Sequence, residues 1–259
     1  MENILQLTIH QASNRIKEKQ LSPIDLVEST IERIESINPK INAYITVKDK
    51  EALLKEARKC ESEISKGYYK GPLHGIPISI KDMLFTKNLK STMGSEVYKN
   101  YVPTIDAYVV QLLKKAGAII IGKVNTHELA YGPTGDESYY GPVRNPHNLN
   151  KVSGGSSSGS AASVATFTSF GSIGTDTGGS IRIPASFCGV VGMKPTYGKV
   201  SKDGVYSLAW NLDHVGPITR TVRDNILMYN SIVESEEIII YDYEKDFKGL
   251  RIGIPLEYF

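Results

Sequence analysis

The sequence predicts an α/β protein, a β-sheet carrying helices on its faces. Ile76, Ile78 and Ile80 alternate as in a strand. A helical stretch from Ile105 to Ala116 then turns through Gly117 into the apolar run Ala118 to Ile121. Amphipathic helical runs precede both, and repeated strand–helix–strand order is the pattern of a sheet covered by helices.

From the amino terminus, Thr8 caps a short helix reaching Lys19. Ser22-Pro23-Ile24-Asp25 then reads as a cap, a proline at the first helical position and an acid in the first turn. Ile24, Val27, Ile31, Ile34 and Ile37 repeat at helical spacing until Asn38-Pro39 stops them. Ile41 to Val47 reads as a strand, and Lys50 to Lys66 as a helix closed by Gly67. Residues 1–70 are thus a helical scaffold packed on a core of residues 71–259. In that core, Lys81 ends the strand of Ile76 to Ile80, and taken alone a lysine there is a solvated charge. Residues 125–150 are rich in Gly, Tyr, Asn and Pro and read as a long ordered loop. Beyond Pro195 come strand-like Lys199 to Ser201, the turn Asp203-Gly204, the stretch Trp210 to Pro217, and a helix capped by Thr221 with Asp224 three residues on. Gly249 to Pro255 reads as the opening of a further strand.

With 259 residues the chain can bury a sizeable core. A net charge of +2 gives no argument for nucleic acid or an anionic membrane surface. No two histidines stand at metal-ligand spacing, and His127-Glu128 lacks the second histidine of a zinc helix. No metal or organic cofactor is expected. Cys60 and Cys188, the two cysteines, cannot build a disulfide framework and point to a reducing cytosol. No basic segment followed by an apolar run opens the chain, so neither a signal peptide nor a membrane span is expected.

The densest chemistry lies in residues 151–195. A Gly/Ser run (154–160) leads into an Ala-rich segment, and a second glycine turn, TDTGGS (175–180), follows. Each turn delivers a serine, and glycine lets a backbone turn its N–H groups onto a bound oxygen. A flexible linker is rejected because Ile173, Ile181, Ile183, Val190 and Val191 read as core around the second turn. GSSSG (155–159) matches a nucleophile elbow at Ser157, but KVS (151–153) is no buried strand leading into one. As a phosphate cradle the run lacks the Gly-Lys-Ser/Thr ending. A third reading is an amidase built from two serines and a lysine, and it rests on a resemblance.

Four stretches carry a resemblance. GGSS (154–157), GTDTGGSIRIPA (174–185) and CGVVGMKPT (188–196) closely resemble the amidase signature family, and GIPISIKD (75–82) resembles its lysine motif. The likeness extends over essentially the whole chain. It implies a mixed central β-sheet covered by helices on both faces. It also places Ser180 as nucleophile, Ser156 as a bridging serine after a cis peptide bond, and Lys81 as general base. The backbone N–H groups of Thr177, Gly178, Gly179 and Ser180 match the oxyanion hole. Ser153 and Ser158 depart from the family, where proline and glycine are common. Asp176 and Arg182 flank the turn and are expected to brace it as an ion pair.

A serine hydroxyl is a weak nucleophile until a base takes its proton. Lysine can be that base only when neutral, which requires a pKa well below ~10.4. The function implied is hydrolysis of a small-molecule amide through an acyl-serine. YGPTGDE (131–137) and LAWNLDH (208–214) lean towards a stand-alone amidase. The alternative is the A subunit of glutamyl/aspartyl-tRNA amidotransferase, which works with partner subunits. Family members are longer, so a further expectation is a truncated chain, an inactive fragment at the extreme. It would have exposed sheet edges that favour low stability or self-association, an open site, and a Lys81 wetted and held at high pKa.

Overall fold

The computed structural model describes residues 4–233, 238–239, 248–251, 253–254 and 256. Thr8 closes a reciprocal capping box with Gln11 and starts α1 (Ile9–Lys17). Ser22 caps α2 (Pro23–Ile41), with Pro23 in its first turn. The helix does not stop before Pro39 but carries it in its final turn. Its end is set by Asn42, in the left-handed region at φ 59°. The Asn42 N–H bonds the Asn38 carbonyl at 2.8 Å, and its Nδ2 donates to the carbonyls of Tyr140 and Pro142 at 2.8 and 3.2 Å. β1 (Tyr44–Val47) and α3 (Lys50–Ser65, capped by Asp49) follow.

β2 (Pro77–Lys81) is buried throughout. α4 (Tyr108–Lys115) begins later than its apolar pattern suggests. The N–H groups of Ala107 and Tyr108 are taken by the carbonyls of Phe85 and Asp203, at 2.8 and 2.9 Å, and Ile105 lies exposed. β3 (Ile119–Val124) follows. The supposed loop after it ends in a hairpin, β4 (Arg144–Asn145) with β5 (Asn148–Val152). There the Asn145 carboxamide accepts from the His147 N–H at 2.9 Å and folds the turn. α5 (Ser158–Ala165), β6 (Gly171–Asp176), α6 (Arg182–Phe187), β7 (Val191–Gly192), β8 (His214–Thr219) and α7 (Val222–Asn230) complete the described α-helices and strands. Lys199 to Ser201 is no strand; the Lys199 N–H closes a turn onto Thr196. In the strand expected over 249–255, residues 252 and 255 lie outside the described residues. The described ones carry no strand, and Leu250 and Ile254 are exposed.

The main sheet has the order β1-β3-β2-β6-β8-β7. β3, β2 and β6 run parallel, while β1, β8 and β7 pair antiparallel, so the sheet is mixed. Side chains alternate between faces along a strand. Ile120, Ile78, Ile80, Ile173 and Val215 therefore pack with α1, α4 and α7 residues such as Ile9, Leu113 and Met228. Ile119, Ile121 and Ile218 pack on the other side with α2, α3 and α5 residues such as Val27, Leu53 and Ala161. Both faces are covered. The chain leaves β2 for β3 on one side and returns to β6 on the other. The carboxyl ends of β2 and β6 thus border a switch point, where α/β sheets bind ligands.

Candidate active site

Pro77, Ser79 and Lys81 share the face of β2 opposite Ile78 and Ile80. Ser79 meets Ser163 of α5, Oγ to Oγ 3.1 Å, so Lys81, two residues on, projects towards the amino-terminal end of α5. There its Nζ lies 2.7 Å from Ser156 Oγ. On the other flank it lies 2.7 Å from Thr175 Oγ1, near the end of β6. Lys81 is wholly buried. Burial brings its pKa down to about 7, against an upward pull from Asp176 and Asp213. The expectation of a wetted lysine at high pKa is overturned, because protein atoms enclose the amine completely.

Ser156 follows a cis Gly155–Ser156 peptide. Its carbonyl accepts from Thr126 Oγ1 at 2.9 Å and the His127 N–H at 3.2 Å. Gly154 has φ +79°, and a Cβ there would stand 2.8 Å from Pro184 Cα, so the run must be glycine where it passes under α6. Ser157 is buried, with its Oγ 3.1 Å from the Thr175 carbonyl, and β5 before it is exposed. The elbow reading fails on both counts. Ile173 and Ile181 are fully buried as expected. Ile183, Val190 and Val191 are only partly so, because Ile183 faces a cleft and Val190 and Val191 lie at the sheet edge.

The second turn is built around Asp176. Its carboxylate is buried and accepts from the Gly179 N–H at 2.8 Å, the Ile181 N–H at 3.1 Å and both Arg182 Nε and Nη2 at 3.0 Å. Burial alone would raise its pKa, but Arg182 and the backbone donors outweigh that and hold it below the usual carboxylate range. One geometric consequence differs from the expected oxyanion set. The Gly179 N–H is already spent on Asp176, whereas the N–H groups of Thr177, Gly178 and Ser180 bond nothing among the described residues.

Ser180 is half-buried, and its carbonyl accepts from the Ser157 N–H at 3.0 Å. Its Oγ makes no hydrogen bond among the described residues. Lys81 and Ser156 are therefore linked, while the link from Ser156 to Ser180 is not closed in this structure. Ser180 opens onto a cleft of about 430 Å³ bordered by Tyr131, Pro133, Thr177, Gly178, Ile183 and Leu208. Sequence reasoning missed Thr175 and Asp213. Thr175 was not legible from periodicity, because a period of two places it on the face of Ile173, opposite the one that Lys81 shares with Ser79. Asp213 carried no local signal, since its partners come from the fold.

The family description Amidase matches residues 25–258. The chain is 46% identical to the A subunit of Glutamyl-tRNA(Gln) amidotransferase of Geobacter metallireducens, an alignment covering 99% of this chain and 55% of that protein. Among solved structures, native peptide amidase from Stenotrophomonas maltophilia superposes with a TM-score of 0.84 at 34% identity, over 90% of this chain and 49% of that one. The A subunit of Glutamyl-tRNA(Gln) amidotransferase from Thermotoga maritima superposes with a TM-score of 0.78 at 37% identity, over 92% and 49%. The chain spans about half the length of the curated relatives it matches.

Proposed function

The chain belongs to the amidase family, and from that premise we propose that it cleaves a carbon–nitrogen amide bond through an acyl-serine on Ser180, with Ser156 and Lys81 handling the proton. The observation that carries this reading is a wholly buried lysine, its pKa lowered to about 7, lying 2.7 Å from Ser156 Oγ. A neutral amine at that place is a base at physiological pH.

In the proposed reaction, Ser180 Oγ attacks the substrate carbonyl carbon. Its proton passes to Ser156 Oγ as the Ser156 proton passes to Lys81 Nζ. The oxyanion is held by the free N–H groups of the glycine turn, each such donor being worth roughly 3–4 kcal/mol in other hydrolases. The C–N bond breaks as the proton returns through Ser156 to the leaving nitrogen, and water releases the acyl group by the same relay. Substrate closes the Ser156–Ser180 link; catalytic hydrogen bonds are often long without substrate. Asp176 and Arg182 hold the turn and take no proton.

A second reading, glutamine as the amide donor in a complex with partner subunits, is favoured by the 46% identity to the A subunit of an amidotransferase. Ammonia release from glutamine, with anilide and aliphatic amides left intact, selects it over a general amidase. For both readings the test is a fluorophosphonate serine probe. Labelling at Ser180, abolished in Ser180→Ala and kept in Ser157→Ala, is expected. An unlabelled Ser180 overturns both.

A further inference from the structure

β6 and β8 pair in register up to Asp176 opposite His214. The next residues on each strand, Thr177 and Asp213, therefore face one another just beyond the sheet. Thr177 Oγ1 lies 2.5 Å from Asp213 Oδ1. The same carboxylate accepts from Ser207 Oγ at 2.7 Å, from the Leu208 N–H at 3.0 Å, and from the Ala209 N–H at 3.0 and 3.1 Å. Asp213 is only 7% exposed. Backbone N–H groups lie on both oxygens, so the side chain at 213 must accept on both. An asparagine would turn an NH₂ onto N–H or O–H groups.

Thr177 begins the glycine turn, and its own N–H is one of the donors left free. Asp213 therefore ties that donor to the segment 207–209, whose Leu208 borders the cleft at Ser180. We propose that Asp213 is a positioning residue, fixing the first oxyanion donor and the Leu208 lip of the cleft through its bond to the Thr177 hydroxyl. This rests on the acyl-serine reading above. A second property follows from its charge: Asp213 is one of two carboxylates pulling the Lys81 pKa upward.

The test measures acylation of Ser180 by the fluorophosphonate probe, together with kcat and KM on an amide substrate, for Thr177→Val, Thr177→Ser and Asp213→Asn. Thr177→Val keeps the shape and removes the hydroxyl. Its acylation rate and kcat should fall about tenfold, the size of one hydrogen bond to a charged group, with KM within twofold. Thr177→Ser should recover most of the loss. Asp213→Asn should lower the plateau rate and move the acid limb of the profile to lower pH, which a merely structural role would not do. Melting temperatures identify any variant that fails to fold, and the Thr177 pair then decides alone. Wild-type labelling with Thr177→Val as fast as wild type overturns the role of Asp213. An unlabelled wild type instead overturns the acyl-serine reading itself.

Discussion

Lys81 Nζ and Thr175 Oγ1 meet at 2.7 Å across neighbouring parallel strands, 94 residues apart in the chain. The lysine is thus held from two sides, by Thr175 and by Ser156. Substituting Thr175→Val removes one acceptor without changing volume much. Lys81 is neutral at high pH and gains its charge as it takes the serine proton. Acylation there should therefore fall about tenfold, the value of one hydrogen bond to the ammonium that forms. A rate within a factor of two of the parent would show that Ser156 alone orients the amine.

The rate of Ser180 acylation should rise with pH through about 7 and then level, following loss of the Lys81 proton. The sign for stability is the same. The folded-state pKa lies below the ordinary value of 10.5, so between pH 7 and 10.5 the unfolded chain holds a proton that the folded chain has released. Stability contributed by this group therefore rises with pH across that window and is lowest below it. Lys81→Met should lower acylation at least a hundredfold while its melting temperature at pH 6 stays at or above the parent's. A pH-independent acylation rate between 5 and 9 argues against lysine as the base.

Asp82, the residue after Lys81, is wholly buried, and its Oδ1 lies 3.4 Å from Nζ of Lys123, also wholly buried. Asp82 Oδ2 accepts from the Thr92 N–H and hydroxyl at 2.8 and 2.6 Å. Lys123 Nζ donates to the Leu84 carbonyl and Ser91 Oγ at 2.6 and 2.7 Å. Lys123→Met leaves the Asp82 carboxylate without its counter-charge and should cost about 3–5 kcal/mol. Denaturant unfolding checks this, and Asp82→Asn added to Lys123→Met should recover part of the loss.

Arg182 lowers the Asp176 pKa, so Arg182→Met should raise it. A carboxylate whose folded pKa is depressed contributes stability above its unfolded pKa and loses it as pH falls through the folded value. The acid unfolding midpoint of Arg182→Met should therefore move to higher pH. An unchanged midpoint would mean that the Gly179 and Ile181 N–H groups hold the carboxylate unaided.

Periodicity made the frame legible. The alternating isoleucines of β2 and β3 and the helical spacing in α2 follow from which faces must be buried. Pro39 misled because a proline in a last turn removes few hydrogen bonds, and a left-handed Asn42 anchored at long range was the real stop. β6 was passed over because its glycines and serines carry little strand propensity; pairing on both edges supplies what propensity lacks. The same limit hid the state of Gly179. That glycine lies in the expected oxyanion set, but whether its N–H faces a substrate or Asp176 depends on where one carboxylate sits in three dimensions.

The parallel pairing of β2 with β6 also sets the order in which this molecule can mature. Ser79 and Ser172 are 93 residues apart, and Lys81 gains Thr175 only once that register is closed. Closure entropy grows slowly with loop length, but non-local pairing is what slows a chain on its way to the native state. Helices such as α2 and α3 are local and form early. On dilution from denaturant, far-UV circular dichroism should therefore recover first. Reactivity of Ser180 should return later, in step with closure of the β2–β6 register.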